Sequence, residues 1–447
     1  MDIKDITCRI CFFTSALAVL LLCAGYTSAY PLNAFEQTGI KRLEGFFYSL
    51  RTKSGKENFP PGSLLSIEEV KLSLAGQTWN LPPNDENLKA QLLAPLGRDA
   101  NHYSFAVLDF SDPESPRYAA HNESSHFIPG SVGKLIVAAA FLQSLADLYP
   151  DEPEKRAKLL RDTVVRAGEI VQSDSHEVPF WHYDEGRIEY RPLRADDSGN
   201  LYTFLDWMIS SSSNAAGSAV MRELVLLNHF KKTYPRTPQE SQAFLKRTSP
   251  AALAAILQSS VKKTLERNGL DTSNLFHVSP FTAAGKRLMP ARGSTATAKE
   301  LVRLLLLMEQ GRLIDRYSSL ELKRLLYLTQ QRIRYASSPA LDFSAVYYKS
   351  GSLYRCRSET GFSCGKYRGN LLNLMNSVAL IESPYVNPRA RYIAAINSNV
   401  LRKDSAAQHA GFAAEVEKVM MRNKKGGATS AGNDKSVHLH DEILKKP

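Results

Sequence analysis

The sequence predicts an α+β fold in which one antiparallel sheet takes strands from both ends of the chain and helices pack against it. Three observations predict it. Ser104–Phe110 (SFAVLDF) and Arg117–Asn122 read as strands joined by the turn Ser111–Pro116. Near the other end, Asn376–Glu382 (NSVALIE) and Tyr392–Ser398 (YIAAINS) read as a second strand pair, joined by Ser383–Arg391. Between the pairs the patterning is mainly helical, and Ser131–Leu145 is almost continuously apolar at a length that favours a buried helix. Strands, then helices, then strands allow the late strands to return and pair with the early ones.

The remaining elements follow in order. Ile40, Leu43, Phe46, Phe47 and Leu50 recur at helical spacing, and Ile67–Leu74 reads as a second amphipathic stretch. Pro82-Pro83-Asn84-Asp85 is a polar turn. Helical patterns cover about 153–171, 203–225, 238–268 and 295–310, and Ala345–Arg355 reads as a strand. A helix from about Ala406 to Met421 ends the folded part. Residues 424–447, beginning Lys424-Lys425-Gly426-Gly427, have the composition of a disordered basic tail. No internal repeat is evident.

With 447 residues, 43% of them hydrophobic and 23% charged, the composition is that of an ordinary globular protein. The 25 Gly, 22 Pro and 5 Cys exclude collagen-like, wholly disordered and disulfide-dense classes. The balance of 56 Lys and Arg against 45 Asp and Glu, a net +11, favours an anionic partner: nucleic acid, a membrane surface or a cell-wall polymer. Residues 1–29 alter that weighting. Lys4 and Arg9 precede the apolar run Ile10 to Gly25, and Tyr26-Thr27-Ser28-Ala29 supplies small residues before a cut, the pattern of a secretory signal peptide. The run is shorter than the roughly 20 residues of a membrane span; an uncleaved anchor is the alternative. Bulky Leu22 argues against a lipoprotein cut before Cys23. The segment's own charges cancel, so the exported chain keeps the full excess. A periplasmic or secreted location follows, and there an anionic cell envelope replaces nucleic acid as the expected partner.

Cysteine usage agrees. Cys8-Arg9-Ile10-Cys11 has CxxC spacing but lies, with Cys23, in the segment to be removed. Cys356 and Cys364 remain, and an even, close pair in an oxidising compartment points to a disulfide closing a short loop; two buried thiols are the alternative.

Chemistry concentrates in three short motifs. Pro129-Gly130-Ser131-Val132-Gly133-Lys134 opens the apolar helix, and the three-residue spacing makes Ser131 and Lys134 neighbours on one face. Serine in the first turn meets free backbone N–H groups. A lysine buried against LIVAAAF loses preference for its charged form, so a neutral amine becomes available as a base. The spacing alone is unspecific, since Ser259/Lys262, Ser260/Lys263 and Ser363/Lys366 share it. Ile128 and Leu135 stand where a phosphate-binding loop needs Gly and Ser or Thr. The second motif, Ser212-Ser213-Asn214, follows the helical stretch Phe204–Ile209; Ser198-Gly199-Asn200 matches it equally well. The third is Lys349-Ser350-Gly351 on the strand, where lysine and serine suit a substrate carboxylate and glycine admits substrate to the strand edge. Lys53-Ser54-Gly55 matches too, but lies upstream of everything else.

Their order is the informative feature. Ser-x-x-Lys opening a buried helix, then Ser-x-Asn after a helix, then Lys-Ser-Gly on a strand, resembles the penicillin-recognising serine enzymes. From about Ser104 to Met421 the chain resembles a class A β-lactamase-like serine hydrolase. The resemblance implies a sheet domain and a mainly helical subdomain with the active site in the cleft between them. It divides the chain into the signal peptide 1–29, an extension 30–98, the hydrolase domain 99–423 and the tail 424–447. It implies Ser131 as the acylated nucleophile, Lys134 as its base or proton relay, and Ser212 as the proton donor toward the leaving nitrogen. Asn214 would hold the acyl side chain, and Lys349, Ser350 and Gly351 would receive the substrate carboxylate. The oxyanion hole would be the backbone N–H groups of Ser131 and Ser352. Such an enzyme needs no metal or organic cofactor and acts as a monomer.

The pattern also departs from that family. Class A β-lactamases carry a Glu-x-x-Leu-Asn motif whose glutamate activates the deacylating water, and the stretch His277–Gly293 that should hold it contains no acid. Glu266 is the nearest substitute, so slow deacylation is expected. His126, His176, His182 and His277 lack a Gly-x-Ser-x-Gly partner motif. Trp181, His182 and Tyr183 either line the cleft mouth or serve ordinary packing. Three activities fit: hydrolysis of a β-lactam, D-Ala-D-Ala carboxypeptidase or transpeptidase action on peptidoglycan stem peptides, and a penicillin-binding sensor or scaffold without turnover.

Overall fold

Strand β1 (Tyr103–Asp109) is buried at every position because the sheet that contains it is covered on both faces. A computed structural model of the protein describes residues 30–52, 59–172, 174–327 and 332–422. The signal segment 1–29, the Lys53-Ser54-Gly55 triplet and the tail 424–447 lie outside the described residues. Four further strands complete the main sheet: β2 (Arg117–His121), β3 (Ala345–Arg355), β4 (Leu372–Ser383) and β5 (Ala390–Asn399). Their order is β2-β1-β5-β4-β3, antiparallel throughout, so the early hairpin pairs with the last strand as expected. The helices that position the site are α1 (Lys134–Leu148), α2 (Leu201–Ile209), α3 (Asn214–Phe230), α4 (Pro250–Arg267), α5 (Ala298–Glu309), α6 (Arg316–Leu326) and α7 (Ser405–Arg422).

Alternation of side chains along a strand sends successive residues to opposite faces. Ala106, Leu108, Leu380 and Ile393 face the larger core, which holds α1 to α6. Phe105, Val107, Ile381 and Ile396 face a second core closed by Phe412 and Val416 of α7. Both faces are thus apolar, which explains why these strands read as near-continuous apolar runs. Helix α1 is apolar around its whole circumference and buried from Lys134 to Ala146, as a helix with no polar face must be.

The segment 30–98 is built into the same body. Tyr30, Leu43 and Phe46 lie in the larger core, and the Tyr30 hydroxyl donates to Glu321 of α6. The helix Lys41–Thr52 packs its Tyr48 ring 5.6 Å from Trp181. Trp181 lies in the hairpin of Glu177–His182 with Arg187–Pro192, so it serves packing.

Some elements differ from expectation. Ile67–Leu74 is irregular, although Ile67, Val70 and Leu74 are buried. Its backbone groups are claimed by side chains: the Lys71 carbonyl accepts from the Lys323 amine at 2.5 Å, and the Ser73 N–H donates to Glu309 at 2.5 Å. The helix at 153–171 stops at Asp162, where β-branched Thr163-Val164-Val165 turns to a short strand paired with Ser198–Asn200. The helix at 203–225 is two helices, α2 and α3, divided by Ser210–Ser213, whose hydroxyls compete with helical bonding. The 238–268 stretch is Pro238–Arg247 followed by α4, separated at Ser249, before Pro250.

Candidate active site

The break between α2 and α3 places the second motif. Ser213 caps α3, its Oγ accepting from Ala216 N at 3.1 Å, and Ser212 just before it takes a left-handed backbone with φ of 55°. The first motif sits opposite. Gly130–Gly133 forms a 3-10 turn leading into α1, so Ser131 lies one turn ahead of the regular helix and Lys134 is its first residue. Strand β3 closes the third side. A Cβ at Gly351 would lie 2.3 Å from Pro129 O and 2.8 Å from Ser131 N, so only glycine permits the strand edge to reach the turn.

These three approaches converge on Lys134. Its Nζ lies 3.0 Å from Ser131 Oγ, 2.6 Å from the Ser212 carbonyl, 2.9 Å from Asn214 Oδ1 and 3.5 Å from Ser212 Oγ. A neutral amine has two N–H groups for the carbonyl and the amide oxygen, which leaves its lone pair for the Ser131 hydroxyl proton. Burial disfavours the ammonium; Asp174 opposes that, Arg334 adds to it, and the net result is a pKa lowered to about 7. Lys349 Nζ donates to Ser212 Oγ at 2.8 Å and to the Ser350 carbonyl at 3.0 Å. Its pKa lies well below the usual lysine value through burial, then through Lys134 and Arg334. Ser212 Oγ therefore stands between two amines.

All the motif residues named from sequence come together here: Ser131, Lys134, Ser212, Asn214, Lys349, Ser350, Gly351 and Ser352. The competing motifs do not. Ser259, Ser260, Lys262 and Lys263 lie along α4, Ser363 and Lys366 lie in the loop after β3, and Asn200 caps α2. Cys356 and Cys364 form a disulfide in that same loop.

Glu266 is a solvated acid near the end of α4. Its half-exposed side chain lies 3.6 Å from Lys262, and the helix pairing of two charges four apart accounts for it. None of the four histidines bonds a nucleophile as its base: His126 bonds Asn274, His176 bonds Asp174, His182 bonds Glu189 and His277 bonds Ser294, which is not the motif serine. Among the described residues no group of His, Cys, Asp or Glu is arranged to hold a metal ion.

Three residues of the site escaped sequence reading. Arg334 reaches in from the segment before β3 and donates to Ser350 Oγ at 2.6 Å, Ser352 Oγ at 3.2 Å and the Tyr367 hydroxyl at 2.8 Å. Phe281 lies in the acid-free stretch and covers Lys134, whose Nζ is 4.7 Å from the ring centre. Gly217 of α3 makes room, since a Cβ there would lie 2.7 Å from the Phe281 ring. Asp174 accepts from Ser213 Oγ at 3.0 Å and Ala215 N at 2.7 Å. None of the three belongs to a local pattern. The one sequence signal for Phe281 is that it is the sole Phe, Tyr or Trp in the acid-free His277–Gly293 stretch.

Residues 192–363 match a family described as the beta-lactamase enzyme family. Over that stretch the chain resembles a β-lactamase. The matched stretch holds Ser212 to Asn214 and Lys349 to Gly351, and bears out the resemblance to the penicillin-recognising serine enzymes. In structure the chain is similar to PBP-A, at 13% identity over 77% of this chain and 100% of that one, with a TM-score of 0.48. It is similar to the TLA-3 extended-spectrum β-lactamase at 14% identity, covering 75% and 98%, with a TM-score of 0.49. A class A β-lactamase from Bacteroides cellulosilyticus DSM 14838 gives 15%, 76% and 98%, and 0.45. No curated protein matches the sequence.

Proposed function

We propose that the protein is an exported serine hydrolase that forms an acyl-enzyme at Ser131 by opening a β-lactam or a related peptide amide bearing a carboxylate. The observation that carries this is the buried Lys134 amine 3.0 Å from Ser131 Oγ, with a lowered pKa. Lys134 takes the hydroxyl proton as Ser131 Oγ bonds to the carbonyl carbon. The oxyanion is met by the N–H groups of Ser131 and Ser352, each such donor contributing roughly 3 kcal/mol in kcat. Ser212 passes its proton to the leaving nitrogen as the C–N bond breaks and regains one from the protonated Lys134. Lys349, Ser350 and Arg334 receive the substrate carboxylate, and Asn214 steadies the acyl side chain.

A specific observation favours a long-lived acyl-enzyme. Phe281 covers Lys134, and the nearby carboxylate of Asp174 already accepts from Ser213, Ala215 and His176. Among the described residues no other carboxylate bonds into this centre to activate the deacylating water, and general-base help normally contributes roughly 10²–10⁴-fold. The second reading is thus a D-Ala-D-Ala peptidase or transpeptidase acting on peptidoglycan stem peptides, or a penicillin-binding sensor. Export with cleavage after Ala29 into the periplasm or medium is supported by the Cys356–Cys364 bridge, which suits an oxidising compartment. The net +11 suits a monomer associated with an anionic envelope.

Time-resolved intact-protein mass spectrometry with benzylpenicillin tests the reading. We expect one adduct on Ser131 that forms quickly and decays slowly. With a chromogenic cephalosporin the same kinetics give a burst near one equivalent. Rapid linear turnover would refute the slow-deacylation element, and absence of any adduct would refute lactam recognition.

A further inference from the structure

Class A enzymes of this superfamily write the second motif as Ser-Asp-Asn, whereas the middle residue here is the uncharged Ser213. The structure brings a carboxylate to that point from elsewhere. Asp174 lies 39 residues from Ser213, and its side chain is 2% exposed. One oxygen accepts from Ser213 Oγ at 3.0 Å and from Ala215 N at 2.7 Å, on either side of Asn214. The other takes His176 Nδ1 at 2.7 Å and His176 N at 3.2 Å.

We propose that Asp174 is a positioning residue of the acylation centre: it pins the Ser212–Asn214 turn against Lys134 and supplies the negative charge that the motif itself lacks. The left-handed backbone at Ser212 costs energy for a residue with a Cβ, so the turn needs an external hold. Fixing 213 and 215 fixes Asn214 between them, whose Oδ1 is 2.9 Å from Lys134 Nζ, and the Ser212 carbonyl at 2.6 Å. The charge matters as well as the shape. Lys134 is faced by Lys349 and Arg334 from the strand side and by His277 from beneath the turn. Burial and then the Lys134 charge lower the His277 pKa to about 4, so His277 adds no charge at neutral pH. Asp174 is the group of opposite sign acting on Lys134; burial would raise its carboxyl pKa, but the hydrogen bonds from His176, attraction to His176 and the bond from Ala215 outweigh that and keep it ionised.

The proposal rests on the acyl-serine reading, and two measurements keep the two apart. In the full exported chain, Asp174→Asn should slow penicillin acylation of Ser131 roughly 10- to 100-fold, the effect of losing a charged hydrogen bond. It should also move the ascending limb of the rate–pH profile to lower pH by about one unit, because a nearby opposite charge no longer favours the ammonium. Adding Ser213→Asp to Asp174→Asn returns the carboxylate to the motif and should recover most of the rate and the original limb. This double variant also serves as the test if Asp174→Asn alone does not fold. Independently of any lactam, NMR titration of 13C-labelled lysine should show the Lys134 amine titrating about one unit lower in Asp174→Asn. A chain never labelled at Ser131 would overturn the functional reading while the NMR titration still decided this one. An unmoved Lys134 titration, or a lost rate that Ser213→Asp does not recover, overturns the proposal.

Discussion

Arg334→Gln is the substitution that separates carboxylate recognition from general reactivity. Arg334 donates to Ser350 Oγ, Ser352 Oγ and the Tyr367 hydroxyl, and so lies beside the Lys349-Ser350-Gly351 edge where a substrate carboxylate would bind. A hydrogen bond to a charged group contributes about 1.5–3 kcal/mol, or roughly 10- to 100-fold. We therefore expect the second-order rate of Ser131 acylation by benzylpenicillin to fall by that factor in Arg334→Gln. On the pH plateau above the ascending limb, the methyl ester of the same penicillin has no carboxylate to lose and should change by less than about threefold. A second effect has a defined sign. Arg334 helps lower the pKa of both Lys134 and Lys349, so its removal raises both, and the ascending limb of the acylation profile moves to higher pH. The assay is stopped-flow acylation of both compounds across pH, with thermal melting to confirm folding. Equal losses for acid and ester, or no loss for either, would refute the assignment.

Three further outcomes are expected. Acylation should rise with pH through about 7 and level off above it, because the reactive amine is the deprotonated Lys134; a limb near the ordinary lysine value, read from the same rate–pH profile, would contradict its burial. Ser131→Ala should abolish covalent labelling by penicillin or a fluorophosphonate, while Ser259→Ala, Ser363→Ala and Glu266→Gln leave it intact, as gel fluorescence would show. Cys356→Ser with Cys364→Ser should lower stability by about 2–3 kcal/mol in denaturant titration, since the bridge closes a short loop; no change would mean the loop is held by its other contacts.

What the sequence determined by itself is the chemistry carried by contiguous residues. The spacing of Ser131 and Lys134, the Ser212-Ser213-Asn214 turn and the Lys349-Ser350-Gly351 strand are local, and local spacing maps directly onto helix turns and strand alternation. The sheet was legible for the same reason, because strands covered on both faces stay apolar along their length. Breaks within helical runs were not legible. Whether Ile67–Leu74 stays helical depends on which distant side chains bond to its backbone, as Lys323 and Glu309 do at 71 and 73. The same limit applies to the site. Arg334, Phe281 and Asp174 come from three segments with no motif of their own, and only folding places them around Lys134. The amine's lowered pKa is the sum of burial by Phe281 and α1, repulsion from Arg334 and attraction to Asp174. Each of those influences falls with distance through space, which a one-dimensional sequence does not record.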